Sequence, residues 1–337
     1  MRNIYDLTIK ELEDYFISIN EKKFRAVQVY EALYKRRIKS FDDMTNISKE
    51  VREKLKQDFS FYKIKMLIKQ KGKNVNKYLF ELEDGNKIES VLMFHDYGTS
   101  ICVSSQVGCN MTCAFCESGR LKKVRNLLAY EIVQQILQIE EDINKRITHV
   151  VLMGIGEPFD NYDNVLRFVK IINCGQGIDI GSRHITISTC GVIPGIKKFM
   201  NEEGQVNLAI SLHAPNNTLR SRIMPINKAY PLNELMETIK EYINKTNRRV
   251  TFEYIMLDNV NDSEENAKEL AILLKGINCY VNLIPYNETE NIEFKRTKEW
   301  KIMKFYDILK KNKINVTIRK EFGGSVDAAC GQLRANN

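Results

Sequence analysis

The sequence predicts an α/β protein, a parallel sheet with helical crossovers, preceded by a small helical and β-rich N-terminal region. Three observations carry this. From about residue 95 the chain repeats strand, loop and helix. The residues with chemical capability collect in the loops that follow the strands. And 337 residues suit about two domains, or one large barrel with an appendage. Such alternation calls for right-handed crossovers, in a barrel or in an open doubly wound sheet. Apolar residues at 43% and charged residues at 28% are ordinary globular values and exclude disordered and fibrous classes.

The N-terminal region opens with three amphipathic helices, expected over 10–19, 25–37 and 48–59, with Thr8 and Ser48 as N-caps. Strands are expected over 61–66, 78–83 and 88–94, the last two joined by an Asp84-Gly85-Asn86 turn. Between Asp58 and Glu81 there is no acid, but Lys63, Lys65, Lys69, Lys71, Lys73 and Lys77 all occur. A charge run of this kind is either a solvated face or a surface for an RNA backbone. The later strands are expected over 100–105, 148–153, 184–189, 206–212, 250–257, 280–285 and 316–319. Helices are expected between them over 131–143, 164–172, 233–243, 267–274 and 298–309, and 287–295 is a long polar loop. No internal repeat or low-complexity segment interrupts this order.

No run approaches the roughly 18 apolar residues of a membrane span, and Met1-Arg2-Asn3-Ile4-Tyr5-Asp6 does not resemble a signal peptide. A cytoplasmic protein without membrane attachment is expected. Fifty-one Lys and Arg against 43 Asp and Glu give a net charge of +8, which favours a polyanionic partner. Through Ser90 there are 20 basic and 15 acidic residues, so the N-terminal region supplies +5 of it. Eight cysteines in a reducing compartment point to metal binding or redox chemistry rather than structural disulfides.

Cys109, Cys113 and Cys116 form a C-x3-C-x2-C run in the loop after the first strand of the alternation. Thiolates are soft ligands for zinc or iron–sulfur clusters. A structural zinc site needs four closed ligands, and no fourth Cys or His stands at the usual local spacing. Three thiolates on a four-iron (4Fe-4S) cluster leave one iron open, where the amino and carboxylate groups of S-adenosylmethionine can bind; an electron from the cluster then cleaves the sulfonium to a 5′-deoxyadenosyl radical. Three unrelated buried thiols are the remaining alternative.

That run, with Phe115 before Cys116, resembles the radical S-adenosylmethionine superfamily, and the surrounding sequence resembles the RlmN-type 23S rRNA adenine-C2 methyltransferases and their adenine-C8 Cfr-type relatives. The likeness extends over nearly the whole chain. It includes Phe24-Arg25-Ala26 to Met44-Thr45-Asn46, Cys102-Val103-Ser104-Ser105-Gln106-Val107-Gly108-Cys109 and Met153-Gly154-Ile155-Gly156-Glu157-Pro158. It continues through Ser211-Leu212-His213-Ala214-Pro215, Met224-Pro225-Ile226-Asn227, Asn282-Leu283-Ile284-Pro285 and Asp327-Ala328-Ala329-Cys330-Gly331-Gln332-Leu333. The resemblance implies a partial (β/α)6 TIM-like barrel over 95–325. It implies an RNA-binding accessory domain over 1–94, and a C-terminal segment over 326–337 that carries a methyl-carrier cysteine.

It also implies roles. Cys109, Cys113 and Cys116 hold the cluster; Gly156, Glu157, Ser188, Ser211, Leu212, His213 and Asn287 bind S-adenosylmethionine, Leu212 through its backbone. Without the resemblance, Glu157 suits a helix-capping turn, Ser188 a helix cap, His213 a satisfied core histidine and Asn287 a turn. Two molecules of S-adenosylmethionine serve each turnover. One methylates Cys330; the other yields the radical that takes a hydrogen from the new methyl group, and the methylene carbon joins the adenine. Cys102 then attacks the Cys330 sulfur and leaves a transient disulfide. Glu89 is the proton acceptor, although alone it passes for a surface carboxylate on a hairpin. Cys174, Cys190 and Cys279 have no such role and are expected as core thiols. The implied partners are 23S rRNA, the tRNA adenosine beside the anticodon, and an electron donor such as flavodoxin or ferredoxin, with the chain acting as a monomer.

Two positions depart from the family pattern. Glu117 stands where a small residue is common after the last cluster cysteine, and Glu288 replaces the usual proline after Asn287. The first bears on the cluster's potential and the second on the rigidity of the cofactor loop. Two rivals remain: a C8-directed resistance methyltransferase with the same cysteines, and a non-catalytic RNA-binding protein with a structural metal. Val107, Gly156-Glu157-Pro158 and His213-Ala214-Pro215 look more like the C2 group.

Overall fold

The computed structural model describes residues 1–319 and 332–333. The N-terminal helices start where their caps predict. Thr8 and Glu11 form a reciprocal capping box on α1 (Ile9–Ser18), α2 spans Phe24–Tyr34, and Ser48 Oγ accepts from Val51 N at 3.4 Å to start α3 (Lys49–Asp58). Tyr5, Tyr30 and Tyr34 are buried between these helices, with the Tyr30 and Tyr34 hydroxyls donating to the carbonyls of Leu7 and Tyr5. The strand expected over 61–66 is not there. Asn3 Nδ2 takes the Tyr62 carbonyl at 2.9 Å and Phe61 packs on Tyr5 and Phe41, so the first long strand, β1, starts later, at Lys65–Gly72.

β1 pairs antiparallel with β2 (Val75–Glu81), β2 with β3 (Lys87–His95), and β3 with β4 (Gly98–Cys102). The β2–β3 turn is the expected Asp84-Gly85-Asn86, with Gly85 at φ +80° and Asp84 Oδ1 accepting from Asn86 N. The lysine run is largely engaged within the chain. Lys65 faces Glu81, Lys69 pairs with Asp142, Lys77 with Glu89, and Lys63 donates to the Ile38 carbonyl; Lys71 and Lys73 remain exposed at the hairpin tip.

From β4 onward the sheet is parallel. After α4 (Ala129–Ile143) come β5 (His149–Leu152), α5 (Tyr162–Ile172), β6 (Ile185–Thr189), α6 (Ile193–Phe199) and β7 (Asn207–Ser211). α7 (Asn217–Ile223), α8 (Leu232–Thr246), β8 (Val250–Met256), α9 (Glu264–Leu273), β9 (Cys279–Pro285), α10 (Glu299–Lys311) and β10 (Val316–Ile318) complete it. All ten strands lie in one sheet in sequence order, from β1 at one edge to β10 at the other. Seven parallel strands with helical crossovers make the partial (β/α)6 barrel, extended at one edge by the N-terminal meander. The residues that alternate with the cavity-facing Ser188, Ser211 and Glu253 point the other way, into the helix layer, and there Ile187, Ile210, Phe252 and Val281 have no exposure. One apolar cluster runs from Ile4 to Val316, so the N-terminal helices and the barrel share a core. Helices α6 and α7 escape the sequence pattern because each has seven residues, under two turns of periodicity. No helix among the described residues is long and apolar enough to cross a membrane.

Candidate active site

The cluster loop leaves β4 through a two-residue ladder, Gln106–Val107 with Arg125–Asn126. Gly108, at φ +72°, is required there, since a Cβ would stand 2.2 Å from the Lys122 carbonyl oxygen. The loop is then pinned at both ends: Cys109 N donates to Leu121 O at 2.9 Å, and Ala114 N to Ile223 O at 2.9 Å on α7. The three thiols thereby line one cavity at the C-terminal ends of the parallel strands, with Gly156, Glu157, Ser188, Ser211 and His213. In barrels of this kind that rim is where chemistry is carried.

Close packing fixes the loop after β5. A Cβ on Gly154 would meet Val103 O at 2.7 Å, and one on Gly156, at φ +108°, would meet the Gln106 side chain at 2.6 Å. Glu157 N donates to Gln106 Oε1, while the buried Glu157 carboxylate accepts from Phe159 N at 3.0 Å and Cys190 N at 2.8 Å. Burial raises its pKa and these amides oppose the rise. Glu157 thus joins the ends of β5 and β6 as well as facing the cavity. Ser188 lines the cavity and caps no helix; its neighbour Thr189 closes the turn before α6, Oγ1 accepting from Gly191 N and Val192 N.

His213 is both a satisfied core histidine and a cavity residue. Its Nδ1 accepts from Ile255 N at 3.0 Å, its ring meets Phe115 edge-on at 4.8 Å, and burial, with Arg220 nearby, pushes its pKa down to about 3. The imidazole is neutral, with its proton on Nε2. Leu212 does not line the cavity: its amide donates to Glu253 O and its carbonyl accepts from Arg220 Nε. Asn287, just past β9, is half-buried and also lies outside the lining. The loop after it is held by the departure at Glu288, whose carboxylate accepts from Arg296 N and Lys295 Nζ, and whose carbonyl accepts from Gln332 Nε2.

Cys102 and Glu89 lie on one face of the meander. Val91 is the cross-strand partner of Cys102, and Glu89, two residues from Val91, is the diagonal neighbour. Both are buried, and Lys77 Nζ stands 3.3 Å from Glu89 Oε1. Cys102 packs with Val91, Met93, Ile155 and Leu333. Cys330 lies outside the described residues. Gln332 and Leu333, which follow it, are tied to Glu288 and, through Ser118 Oγ to Leu333 O at 2.6 Å, to the cluster loop. Of the three cysteines without an assigned role, Cys279 is buried, Cys190 lines the cavity, and Cys174 is partly exposed with its thiol donating to Gln176 Oε1. Cys174 is therefore not the core thiol expected.

The sequence gives no sign of Glu253 or Arg220. Glu253 sits inside β8, level with Ser211 on β7 and Asn282 on β9. Its Oε1 accepts from Asn282 Nδ2 at 2.9 Å, but among the described residues its buried Oε2 has no hydrogen-bond donor, with Arg319 Nη1 at 3.9 Å. Arg220 is fully buried behind the cavity wall, and its guanidinium donates only to neutral oxygens. Among the described residues no three His, Cys, Asp or Glu side chains converge on a single metal ion. A cluster puts each thiolate on a different iron, so its ligands ring a space rather than a point. Three cavity-lining thiols, a buried cation without a carboxylate and an acceptor oxygen without a donor suit an anionic cluster carrying a hydrogen-bonding ligand.

Comparison with known proteins agrees. Residues 2–60 match the family "Ribosomal RNA large subunit methyltransferase N-terminal domain", and residues 103–271 the "Radical SAM superfamily". A protein of Spiroplasma citri named "Probable dual-specificity RNA methyltransferase RlmN" is 53% identical over 100% of this chain and 98% of its own length. A Streptococcus thermophilus protein of the same name is 55% identical over 99% of this chain and 88% of its own. The crystal structure of a radical SAM methyltransferase from Sphaerobacter thermophilus superposes with a TM-score of 0.94 at 40% identity, covering 100% of both chains. Likeness of this extent, over the N-terminal helices and the barrel alike, makes this chain a member of the RlmN family of radical S-adenosylmethionine methyltransferases.

Proposed function

We propose that the chain methylates C2 of an adenosine in 23S rRNA and of the adenosine beside the anticodon in tRNA, through a methylated cysteine. The relatives' name, dual-specificity RNA methyltransferase, supports the RNA substrates. The observation that carries the chemistry is the single cavity in which Cys109, Cys113 and Cys116 meet Gly156, Glu157, Ser188, Ser211 and His213 at the strands' C-terminal ends. When bound, a four-iron cluster with S-adenosylmethionine on its open iron supplies a one-electron cleavage to a 5′-deoxyadenosyl radical, and a second S-adenosylmethionine supplies the methyl group.

The chain's own groups do the rest. Cys330 takes the methyl on its sulfur, gives up one hydrogen from it, and joins the adenine through the resulting methylene carbon. Glu89, set beside Lys77, takes the proton from C2 while the radical adduct gives up one electron to the one-electron system that initiated the cleavage, which restores the aromatic ring. Cys102, as a thiolate, then attacks the Cys330 sulfur; the departing methylene carbon takes up a proton to become the methyl group of the released base, and the disulfide left behind is reopened by an external two-electron reductant. The target base must be splayed out of the RNA to reach the cavity. The division at residues 94 and 325 assigns RNA docking to the N-terminal part, where Lys71 and Lys73 stay exposed. A flavodoxin- or ferredoxin-type donor completes the system, with the chain as a monomer.

The test is Cys102→Ala in the cluster-loaded protein. It should form the bond to RNA without releasing it, so a covalent protein–RNA adduct through Cys330 accumulates and survives denaturation. Normal turnover by Cys102→Ala, with no adduct, rejects the relay.

A further inference from the structure

Arg220 is one of the largest fully buried side chains, and among the described residues it has no acidic partner. It sits on α7 with no exposure. Nη2 donates to the Cys190 carbonyl at 2.6 Å and the Ser211 carbonyl at 3.3 Å, Nε to the Leu212 carbonyl at 3.2 Å, and Nη1 to Asn227 Oδ1 at 2.9 Å. All four acceptors are neutral. Glu157, a buried carboxylate lining the same cavity, accepts from the amides of Phe159 and Cys190 and forms no ion pair with it. A guanidinium stays protonated in proteins, so its charge persists even when buried. An uncompensated buried charge is costly, and folds retain one only where a counter-charge answers it.

The surroundings identify that counter-charge. Cys190 and Ser211, whose carbonyls Arg220 holds, both line the cavity with the three cluster cysteines. One helical turn after Arg220, the Ile223 carbonyl accepts from Ala114 N, between Cys113 and Cys116. Gly191, at φ +103°, leaves room for the guanidinium: a Cβ there would stand 3.3 Å from Nη2. One residue therefore fixes the ends of β6 and β7 and sets a full positive charge behind the cluster loop.

We propose that Arg220 is an electrostatic positioning residue: its buried charge answers the negative charge of a cluster held by Cys109, Cys113 and Cys116, and favours the cluster's one-electron reduction. This rests on the assignment of those cysteines under Proposed function. A cluster bound by three thiolates is anionic and gains one more negative charge when reduced, so a fixed cation nearby stabilises the reduced form. The same carbonyl contacts keep the cofactor-side ends of β6 and β7 in register.

The test is an anaerobic redox titration of the full-length, cluster-reconstituted protein, followed by the paramagnetic resonance of the reduced cluster, with iron and sulfide counted in each sample. Arg220→Gln removes the charge and keeps an amide donor; Arg220→Lys keeps the charge and loses the fork; Asn227→Ala disturbs the same network without changing charge. Arg220→Gln should lower the midpoint by a tenfold change in the reduction equilibrium or more, about 59 mV for a one-electron couple. Arg220→Lys and Asn227→Ala should stay within that tenfold. An unshifted Arg220→Gln, or a shift in Asn227→Ala as large as in Arg220→Gln, overturns the proposal. If Arg220→Gln does not fold, Arg220→Lys decides: parental iron content and potential support the charge role, and a tenfold loss with full iron content overturns it. A parent protein that takes up no iron fails differently, since it removes the cluster assignment itself.

Discussion

The N-terminal helices and the barrel mouth handle charge in opposite ways. Where the N-terminal region meets the barrel, charges are answered within the chain. Arg167 on α5 binds Glu11, which Arg2 and Thr8 also hold, and although burial alone would raise the Glu11 pKa, these partners bring it down to about 2. Arg37 pairs with Glu140 through Nη2, its buried Nη1 having no acceptor among the described residues, and Lys39 pairs with Glu141, so here each charge has an opposite charge beside it. At the mouth the charges are unfinished. Among the described residues Arg220 has only neutral acceptors, and Glu253 Oε2 and Glu117 Oε1 are buried without a hydrogen-bond donor, the nearest ion partners, Arg319 and Arg120, standing at 3.9 Å. Complete pairs mark a surface whose work is to hold the fold together. Incomplete ones mark a site that is finished by what it binds.

Changes at the mouth should therefore cost function, and changes at the junction should cost a little stability. The largest effect is expected from Cys113→Ala, which should abolish iron loading and RNA methylation; metal analysis of anaerobically reconstituted protein reads this directly. Glu253→Leu comes next. If Oε2 accepts a hydrogen from the bound cofactor, the loss should be about 1.5–3 kcal/mol, on the order of 10- to 100-fold weaker S-adenosylmethionine binding by equilibrium dialysis, with iron content unchanged. Unchanged affinity would place Glu253 in the wall's structure only. The smallest effect belongs to Arg167→Ala. With both partners about a third exposed, denaturant unfolding should show a loss of about 0.2–1 kcal/mol, with methylation at the parental rate. A large loss of activity there would erase the contrast between the two regions.

Much of the barrel was legible because its strands are short branched apolar runs bounded by loops, so their ends fall within a residue or two of the expected positions at Ile185–Thr189, Val250–Met256 and Cys279–Pro285. The cluster loop was legible from cysteine spacing. Burial and tertiary hydrogen bonds were not. Arg220 lies in Thr218-Leu219-Arg220-Ser221-Arg222, where nothing distinguishes it from the exposed Arg222. Glu253 reads as an ordinary polar residue inside a strand, since only the pairing of β7, β8 and β9 sets it beside Ser211 and Asn282. The lysine run misleads in the other direction, since Lys77 turns inward to Glu89 rather than toward solvent. Glu288, a departure that bears on the rigidity of the cofactor loop, binds Lys295 and Arg296 across it, contacts that sequence spacing alone does not reveal.

The central claim is transfer of a methyl group to C2 of adenine. It is tested most directly by incubating the cluster-loaded protein, S-adenosylmethionine and a one-electron reductant with 23S rRNA and with tRNA, then identifying the modified nucleoside by mass spectrometry against standards. 2-Methyladenosine is expected from both RNAs. A product methylated at C8, or no methylated adenosine from protein that carries its full iron and sulfide, contradicts it.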